Sequence, residues 1–288
     1  YRWSRTEAGK RGSFYAPILF LADYYHGNWE WKHASEWKIW YMYPYQDADY
    51  MFHHVTRAFD PFPGHDYGGE GWPLMKDKGW SLVNSRLGDI YDLYFANPPS
   101  GVVALEELLK YPLAMLLGNV RFSEELLANM QNYVEKGGTL VLNAAQHQSF
   151  LSDAKFIGAE LADEWIDIDN MKVRKVKNIT GEVMAGDASM PLIIQNRYGQ
   201  GQVIFMTPYF LLDMKNKKQP LPWLEDFLLR LQSELCPVQV SGNIHFLFNK
   251  MDGANWKLVL LNHRGVYKHP MRTKEYFFPE YAAAVSIE

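Results

Sequence analysis

Two short apolar runs with a helical pattern between them stand in the middle of the chain. Residues 112–117 form a continuous apolar run that stops at Gly118, which is typical of a strand buried on both faces. Residues 139–143 form a second such run. Between the runs, apolar residues recur with the spacing of one helix face: Leu126, Leu127, Met130, Tyr133 and Val134. The pattern predicts two strands joined through a helix as a right-handed crossover in a parallel sheet.

The residues at the two ends of this helix support the prediction. Ser123 is a good N-cap, and Glu124 and Glu125 place negative charge at the positive end of the helix dipole. Gly137 and Gly138 then supply a left-handed stop before the second strand.

Periodicity and turn residues predict further elements on either side of the crossover. They are a buried strand over 16–23, a helix over 47–59, a strand or turn over 88–95, a short helix over 104–110, an antiparallel strand over 173–183, a hairpin from 191–196 to 202–207, a helix over 222–235, and a strand pair over 244–248 and 256–261. Together they predict an α/β fold with a mostly parallel, Rossmann-like or flavodoxin-like sheet and helices on both faces.

The composition of the elements changes near Pro237, where an antiparallel, sandwich-like region begins. We therefore predict an α/β domain over residues 1–236 and a β-rich region over residues 237–288, which we expect to be incomplete. Residues 29–80 are an aromatic insertion in the first domain. Their loop over residues 60–79 is long enough to predict a functional or interface role.

Composition and charge exclude several classes of partner. The 288 residues carry a net charge of −4 and no basic cluster, so nucleic acid is not an expected partner. No run reaches the ~18 apolar residues of a membrane span, so no membrane association is expected. Aromatic residues make up 15% of the chain, which raises the expectation of a sugar-stacking or interface surface. We expect no cofactor.

The residues at both ends of the chain favour the hypothesis that this sequence is a piece of a longer protein. Residues 1–15 do not begin with Met and lack the apolar core of a signal peptide, and the last residues lie in a β pattern. We therefore expect a longer polypeptide with any signal peptide upstream. This expectation favours a periplasmic or extracellular location over a cytoplasmic one.

Three segments resemble one known family. Residues 108–143, which include GNVRFSEELLANMQNYVEKGGTLVLN, resemble the class I glutamine amidotransferase-like fold. The version they are most similar to is the trimerisation domain of microbial β-galactosidases and related carbohydrate-active proteins. RYGQGQVIFMTP, at 197–208, is similar to the closing hairpin of those domains, and NWKLVLLNHRGV, at 255–266, to the β domain that follows. The resemblance implies a carbohydrate partner, further domains in the same polypeptide and a homo-oligomer.

The resemblance does not extend to amidotransferase chemistry. Active members carry a cysteine nucleophile on the sharp turn after the strand that corresponds to residues 140–142. Here residues 143–147 read NAAQH, with neither Cys nor Ser at the turn. Acyl transfer requires a thiolate or an activated hydroxyl, so the ancestral reaction is expected to be absent. Cys236, the single cysteine, lies in the tail and is interpreted as a packing residue.

Ligands of open parallel sheets bind beyond the carboxyl ends of the strands, so these ends supply the candidate binding residues. The candidates combine hydrogen-bonding groups for sugar hydroxyls with aromatic rings for stacking: Asp23, His26, Trp29, Trp31, Asn119, Asn143, Gln146 and His147. The competing interpretation is that these polar groups cap loops and satisfy the backbone at strand ends.

Carboxylates among the aromatic residues are candidates for glycoside hydrolysis, which needs two carboxyl groups about 5–10 Å apart. Asp23, Glu70 and Asp89 are the catalytic candidates, although acidic residues in glycine-rich loops usually cap turns. A metal site is not expected. The adjacent His53 and His54 diverge on a helix, and no HExxH-type spacing is present.

Three hypotheses follow for the function of the chain. The preferred one is a non-catalytic amidotransferase-like domain of a larger carbohydrate-active protein, a glycoside hydrolase, that serves oligomerisation or shapes a sugar-binding site. The second is a hydrolase segment that uses its own carboxylate pair. The third is a stand-alone carbohydrate-binding module.

Overall fold

The computed structural model describes residues 10–22, 90–117, 120, 122–146, 153–168, 171–209, 222–242, 244–261, 266–268, 275–277, 279 and 282–288. Its strands are β1 (Ser13–Phe14), β2 (Ile18–Ala22), β3 (Tyr91–Phe95), β4 (Leu113–Leu117), β5 (Thr139–Asn143), β6 (Glu160–Ile168), β7 (Met171–Lys177), β8 (Glu182–Gly186), β9 (Pro191–Tyr198), β10 (Gly201–Met206), β11 (Val240–Gly242), β12 (His245–Lys250), β13 (Trp256–Leu261), β14 (Val266–Lys268), β15 (Glu275–Phe277) and β16 (Val285–Ile287). Its helices are α1 (Leu105–Leu108), α2 (Glu124–Glu135), α3 (Ala154–Ile157) and α4 (Pro222–Leu235). The aromatic insertion over 29–80, with its predicted helix and loop, lies outside the described residues.

The central sheet has the strand order β3-β2-β4-β5-β10-β9-β8 among the described residues. Its first five strands run parallel, and β9 and β8 complete it as antiparallel neighbours. Numbered along the chain, the parallel strands follow the order 2-1-3-4-5, which is the flavodoxin-like, doubly wound arrangement. The predicted α/β class with a mostly parallel sheet is therefore confirmed.

The crossover predicted for the centre of the chain is formed by β4, α2 and β5. Leu113 lies opposite Thr139 in the parallel pairing of the two strands. Ser123 Oγ accepts a hydrogen bond from the backbone N–H of Leu126 at 3.1 Å, so the predicted N-cap is present. Gly137 adopts φ +106°, a backbone conformation that L side chains rarely adopt, and the helix ends before it.

The apolar stripe of α2 packs against the hydrophobic core of the sheet. Four of its predicted members are fully buried: Leu126, Met130, Tyr133 and Val134. Leu127 is partly buried and packs against the same core, which includes Leu19 of β2, Leu116 of β4 and Leu140 of β5. The helix is therefore held by burial of one face, as the sequence pattern predicts.

Between β5 and β7 the structure contains two elements, α3 and β6, that the sequence pattern did not predict. β9 and β10 form the expected hairpin, with Tyr198 opposite Gly201. The antiparallel strand expected over 173–183 is divided between β7 and β8, and Asn178 with φ +49° lies at the break. β7 pairs with β6, whose residues 160–168 are partly or fully exposed and show no continuous apolar face.

The predicted helix over 222–235 is confirmed as α4. It begins at Pro222, where the missing N–H costs no intrahelical hydrogen bond. At 14 residues it is the longest helix in the described part of the chain. No helix there is long and apolar enough to cross a membrane.

The described residues group into two compact units. One contains residues 17–22 and 91–223 with the central sheet, and the other contains residues 10–16, 90 and 224–288. The second unit includes the sheet β1-β12-β13, in which the predicted pairing of β12 with β13 is confirmed. Tyr15 donates a hydrogen bond to the carbonyl oxygen of Leu235 at 2.7 Å and so fixes the end of α4. The boundary predicted between residues 236 and 237 stays a prediction.

Candidate functional site

The carboxyl ends of β5 and β10 meet at one edge of the parallel sheet. The two strands pair in parallel, with Asn143 opposite Met206 as their last residues. A tight turn over residues 144–146 follows β5, and residues 207–209 follow β10. In a doubly wound sheet this edge is where ligands bind, so the side chains on these two segments are the first to consider.

Asn143 is the residue in the middle of this edge. Its side chain is 1% exposed, and its Nδ2 donates hydrogen bonds to the carbonyl oxygens of Tyr209 at 2.9 Å and Pro208 at 3.3 Å. Its Oδ1 accepts a hydrogen bond from Nε2 of Gln146 at 3.2 Å. The amide therefore joins the turn after β5 to the segment after β10.

Gln146 extends the same network to the segment after β4. It is 3% exposed, and its Oε1 accepts a hydrogen bond from the backbone N–H of Val120 at 3.3 Å. The two amides thus link the ends of three neighbouring parallel strands. Both residues were predicted as ligand-binding from sequence, and the structure brings them together. Their contacts satisfy buried backbone groups, and their role toward a ligand stays a prediction.

The turn between these two residues offers no nucleophile. Ala144 and Ala145 are each 5% exposed, and the backbone N–H of Ala144 donates to the carbonyl oxygen of Met206 at 2.9 Å. Thr207 is a hydroxyl residue at this edge that lies at a predicted strand end but is not among the candidate binding residues. It is fully buried, and its Oγ1 donates to the carbonyl oxygen of Pro191 at 2.6 Å, so the hydroxyl is committed to the fold.

Cys236 belongs to the other compact unit. Burial raises the pKa of its thiol to about 12, so the sulfur stays protonated at neutral pH. A protonated thiol is a poor nucleophile, and this agrees with the interpretation of Cys236 as a packing residue.

An aromatic and cationic cluster lies beside the segment after β10. The rings of Trp165 and Tyr209 meet edge to face with centroids 5.4 Å apart. Lys172 Nζ lies 5.4 Å and the Arg174 guanidinium carbon 5.1 Å from the centre of the Trp165 ring. Arg174 also pairs with Asp163 at 3.2 Å. Sequence reasoning missed this cluster because it predicted no strand at β6, which carries Trp165.

The remaining sequence candidates lie outside the described residues. They are Asp23, His26, Trp29, Trp31, Glu70, Asp89, Asn119 and His147. Across the described ranges, no group of three or more His, Cys, Asp and Glu side chains could hold a metal ion. What the structure defines at this edge is therefore an open, doubly wound α/β sheet with a buried amide network.

Comparison with known proteins adds only distant structural matches. No family model matches the chain, and no curated protein matches it. A catalytic mutant of Gan42B, a GH42 beta-galactosidase from G. stearothermophilus, is 14% identical with a TM-score of 0.47, over 83% of this chain and 34% of that one. A beta-galactosidase from Bacillus circulans sp. alkalophilus is 13% identical with a TM-score of 0.45, over 88% of this chain and 36% of that one.

A third match, a cytoplasmic protein, STM3548, from Salmonella typhimurium, differs from these two in how much of its own length is covered. It is 10% identical with a TM-score of 0.44, and the match covers 76% of this chain and 98% of that one. The present chain therefore spans about a third of the length of the two beta-galactosidases, at 34% and 36%, and nearly all of the Salmonella protein.

Proposed function

We propose that this chain is a non-catalytic α/β domain of a larger carbohydrate-active protein, a glycoside hydrolase, in which it serves oligomerisation or shapes a sugar-binding site. One observation carries the proposal. The turn at residues 143–146, where the resembled amidotransferase-like family holds its nucleophile, contains two buried amides and two alanines, each at most 5% exposed. A nucleophile needs access to its substrate, and this turn supplies neither the group nor the access.

The chemistry of the described strand ends also favours a role without hydrolysis. Glycoside hydrolysis uses two carboxyl groups that flank the scissile bond. The described residues that follow β4, β5 and β10 at this edge (120, 144–146 and 207–209) include no Asp or Glu. Asp92 of β3 is engaged by the Tyr111 hydroxyl at 2.6 Å. The amide network instead rigidifies the loops at the ligand-binding edge, which is what a structural domain requires.

A hydrolysis assay tests the non-catalytic part of the proposal. The 288-residue chain is incubated with p-nitrophenyl β-galactoside beside an active β-galactosidase, and we expect no release of p-nitrophenol above the blank. Hydrolysis that disappears in Asp23→Asn or Glu70→Gln, with circular dichroism unchanged, would favour the hydrolase hypothesis and refute this part of the proposal.

Sedimentation velocity tests the oligomeric role. We expect the chain to sediment as a homo-oligomer at micromolar concentration. If the chain remains monomeric up to about 100-fold higher concentration, its association is at least roughly 2.7 kcal/mol weaker than a micromolar dissociation constant requires. That result rules out oligomerisation as the role of the chain. The role of shaping a sugar-binding site would then be the part of the proposal that stands.

A further inference from the structure

A groove lies at the carboxyl end of β3, within the unit that holds the central sheet. Its volume is about 480 Å³, and it is lined by Tyr94 and Phe95 of β3, by residues in 98–104 and by Glu107 of α1. That volume is within the range of about 300–1,000 Å³ typical of small-molecule sites. The groove lies on the carboxyl-end side of the parallel sheet, at its outermost strand β3.

The loop that forms one wall of the groove is fixed by three hydrogen bonds. The backbone N–H of Gly101 donates to the carbonyl oxygen of Pro98, and that of Val103 to the carbonyl oxygen of Ala96, each at 3.0 Å. Nδ2 of Asn129 on α2 donates to the carbonyl oxygen of Val103, also at 3.0 Å. The wall is therefore preformed, and a ligand meets little ordering cost on binding.

The aromatic surface of the groove is also held in place. Tyr111 donates its hydroxyl proton to Asp92 Oδ2 at 2.6 Å, and the hydroxyl of Tyr94 lies 3.3 Å from the Tyr111 oxygen. The two tyrosine rings meet edge to face with centroids 6.1 Å apart. The pKa of Tyr111 is raised, mainly by burial and to a smaller extent by the hydrogen bond to Asp92. The Tyr111 hydroxyl therefore keeps its proton and stays a donor at any physiological pH. Tyr94 remains 37% exposed, and its orientation is set before any ligand arrives.

The polar groups of the groove determine which ligand fits it. Glu107 is the only charged residue among the described residues of the lining, and it pairs with Lys110, three residues further along the chain. A carboxylate disfavours anionic ligands and accepts hydrogen bonds from hydroxyl groups. The Ser100 hydroxyl also belongs to the lining. Above the backbone of Gly101, an added Cβ would meet nothing within 4 Å, so this part of the groove is open.

We propose that this groove binds a neutral pyranose unit, with the apolar face of the sugar on Tyr94 and its hydroxyls on Glu107 and Ser100. An oriented aromatic ring beside a carboxylate and a hydroxyl matches the two kinds of surface that a pyranose presents. The choice of a saccharide as the ligand rests on the proposed function. The geometry of the groove is independent of that function.

Saturation-transfer NMR of the 288-residue chain with methyl β-D-galactopyranoside measures this binding. We expect Tyr94→Ala to weaken binding about tenfold through loss of the ring contact, and Glu107→Gln about fivefold through loss of the charged acceptor. Leu109→Ala is the matched control, because Leu109 is 43% exposed in the same segment and does not line the groove. Tyr94→Leu, which keeps an apolar side chain, replaces Tyr94→Ala if that variant does not fold.

Three outcomes overturn the proposal. They are no binding by the unaltered chain at millimolar sugar, undiminished binding in both Tyr94 variants, and equal binding of cyclohexanol, which would make the groove a general apolar site. If the chain is at the same time oligomeric and inactive as a hydrolase, the proposed function stands while this inference fails. Glycoside hydrolysis by the chain would overturn the proposed function, whereas sugar binding in the groove is tested by the Tyr94 and Glu107 variants.

Discussion

The contact between Gly138 and Tyr133 gives the sharpest test of the central crossover. A Cβ added to Gly138 would lie 2.2 Å from Cζ and 2.3 Å from Cε2 of the Tyr133 ring, where carbon atoms prefer about 3.5–4.0 Å. The ring has no room to retreat, because Tyr133 is fully buried. Its hydroxyl oxygen also lies 3.0 Å from the carbonyl oxygen of Tyr111 and 3.3 Å from that of Thr139. Gly138→Ala must therefore displace the ring or the backbone.

The expected cost follows from these contacts. Forcing a methyl group into a packed core costs about 1–3 kcal/mol, and the loss of glycine freedom in the unfolded chain offsets about 0.4–1 kcal/mol of that. We expect Gly138→Ala to lower the free energy of unfolding by about 1–2 kcal/mol. Tyr133→Leu removes the ring and is itself expected to cost about 2–4 kcal/mol. In that background Gly138→Ala should cost almost nothing, so the double variant should be at least 1 kcal/mol more stable than the sum of the single changes predicts.

Urea unfolding followed by circular dichroism measures all four states of this cycle, with constant m-values as the check on two-state behaviour. Gly137→Ala is the matched control. Gly137 has φ +106° and an added Cβ would meet nothing within 4 Å, so its cost is backbone strain that removal of the Tyr133 ring does not relieve. Costs of Gly138→Ala and Tyr133→Leu that add within about 0.5 kcal/mol would refute the reasoning, as would relief of Gly137→Ala by Tyr133→Leu.

Two further predictions concern the helix cap and the single cysteine. Ser123→Ala should lower the free energy of unfolding by about 1 kcal/mol, because the Leu126 N–H loses its acceptor, while Ser123→Asp should keep most of it in the same urea assay. For Cys236, the pKa raised from 9.0 to about 12 lowers the thiolate fraction at pH 8 about 10³-fold, while a more basic thiolate is the stronger nucleophile. We therefore expect the reaction with Ellman's reagent to be about 30–60-fold slower than in the guanidinium-unfolded chain; similar rates would contradict this. Since the folded pKa is the higher one, the thiol's contribution to stability is present below pH 9 and declines as pH rises from 9 toward 12, and Cys236→Ala should lack this decline.

The sequence predicted best those elements whose ends and faces are determined by local chemistry. Three features of α2 depend on interactions over only a few residues: the N-cap at Ser123, the apolar stripe through Met130 and the stop at Gly137. The local sequence is therefore sufficient to predict them. The hairpin from β9 to β10 follows from its glycine turn for the same reason. Each of these predictions is confirmed.

What the sequence could not predict depends on contacts between distant residues. The neighbours of β2 in the sheet are β3 and β4, and no local pattern specifies that order. β6 was missed because its half-exposed residues alternate irregularly and the ladder with β7 shifts register between Leu161 and Trp165. The rule for carboxyl ends predicted Asn143 and Gln146 as site residues, but their partners Tyr209 and Val120 are 66 and 26 residues away. The groove at Tyr94 depends on such a contact too, since Tyr111 orients the ring.

The turn after β5 is buried, and this burial works against a reactive side chain at that position. A cysteine introduced at Ala144 would not be a reactive nucleophile, because this position is 5% exposed and burial raises the pKa of a thiol, as it does for Cys236. Opening the turn would require breaking the hydrogen bonds of Asn143 and Gln146, which satisfy buried backbone groups after β4 and β10. The amide network and a reactive turn therefore exclude each other at this position. The exposed ring of Tyr94 at the end of β3 lies outside this network, and the proposed groove uses that surface.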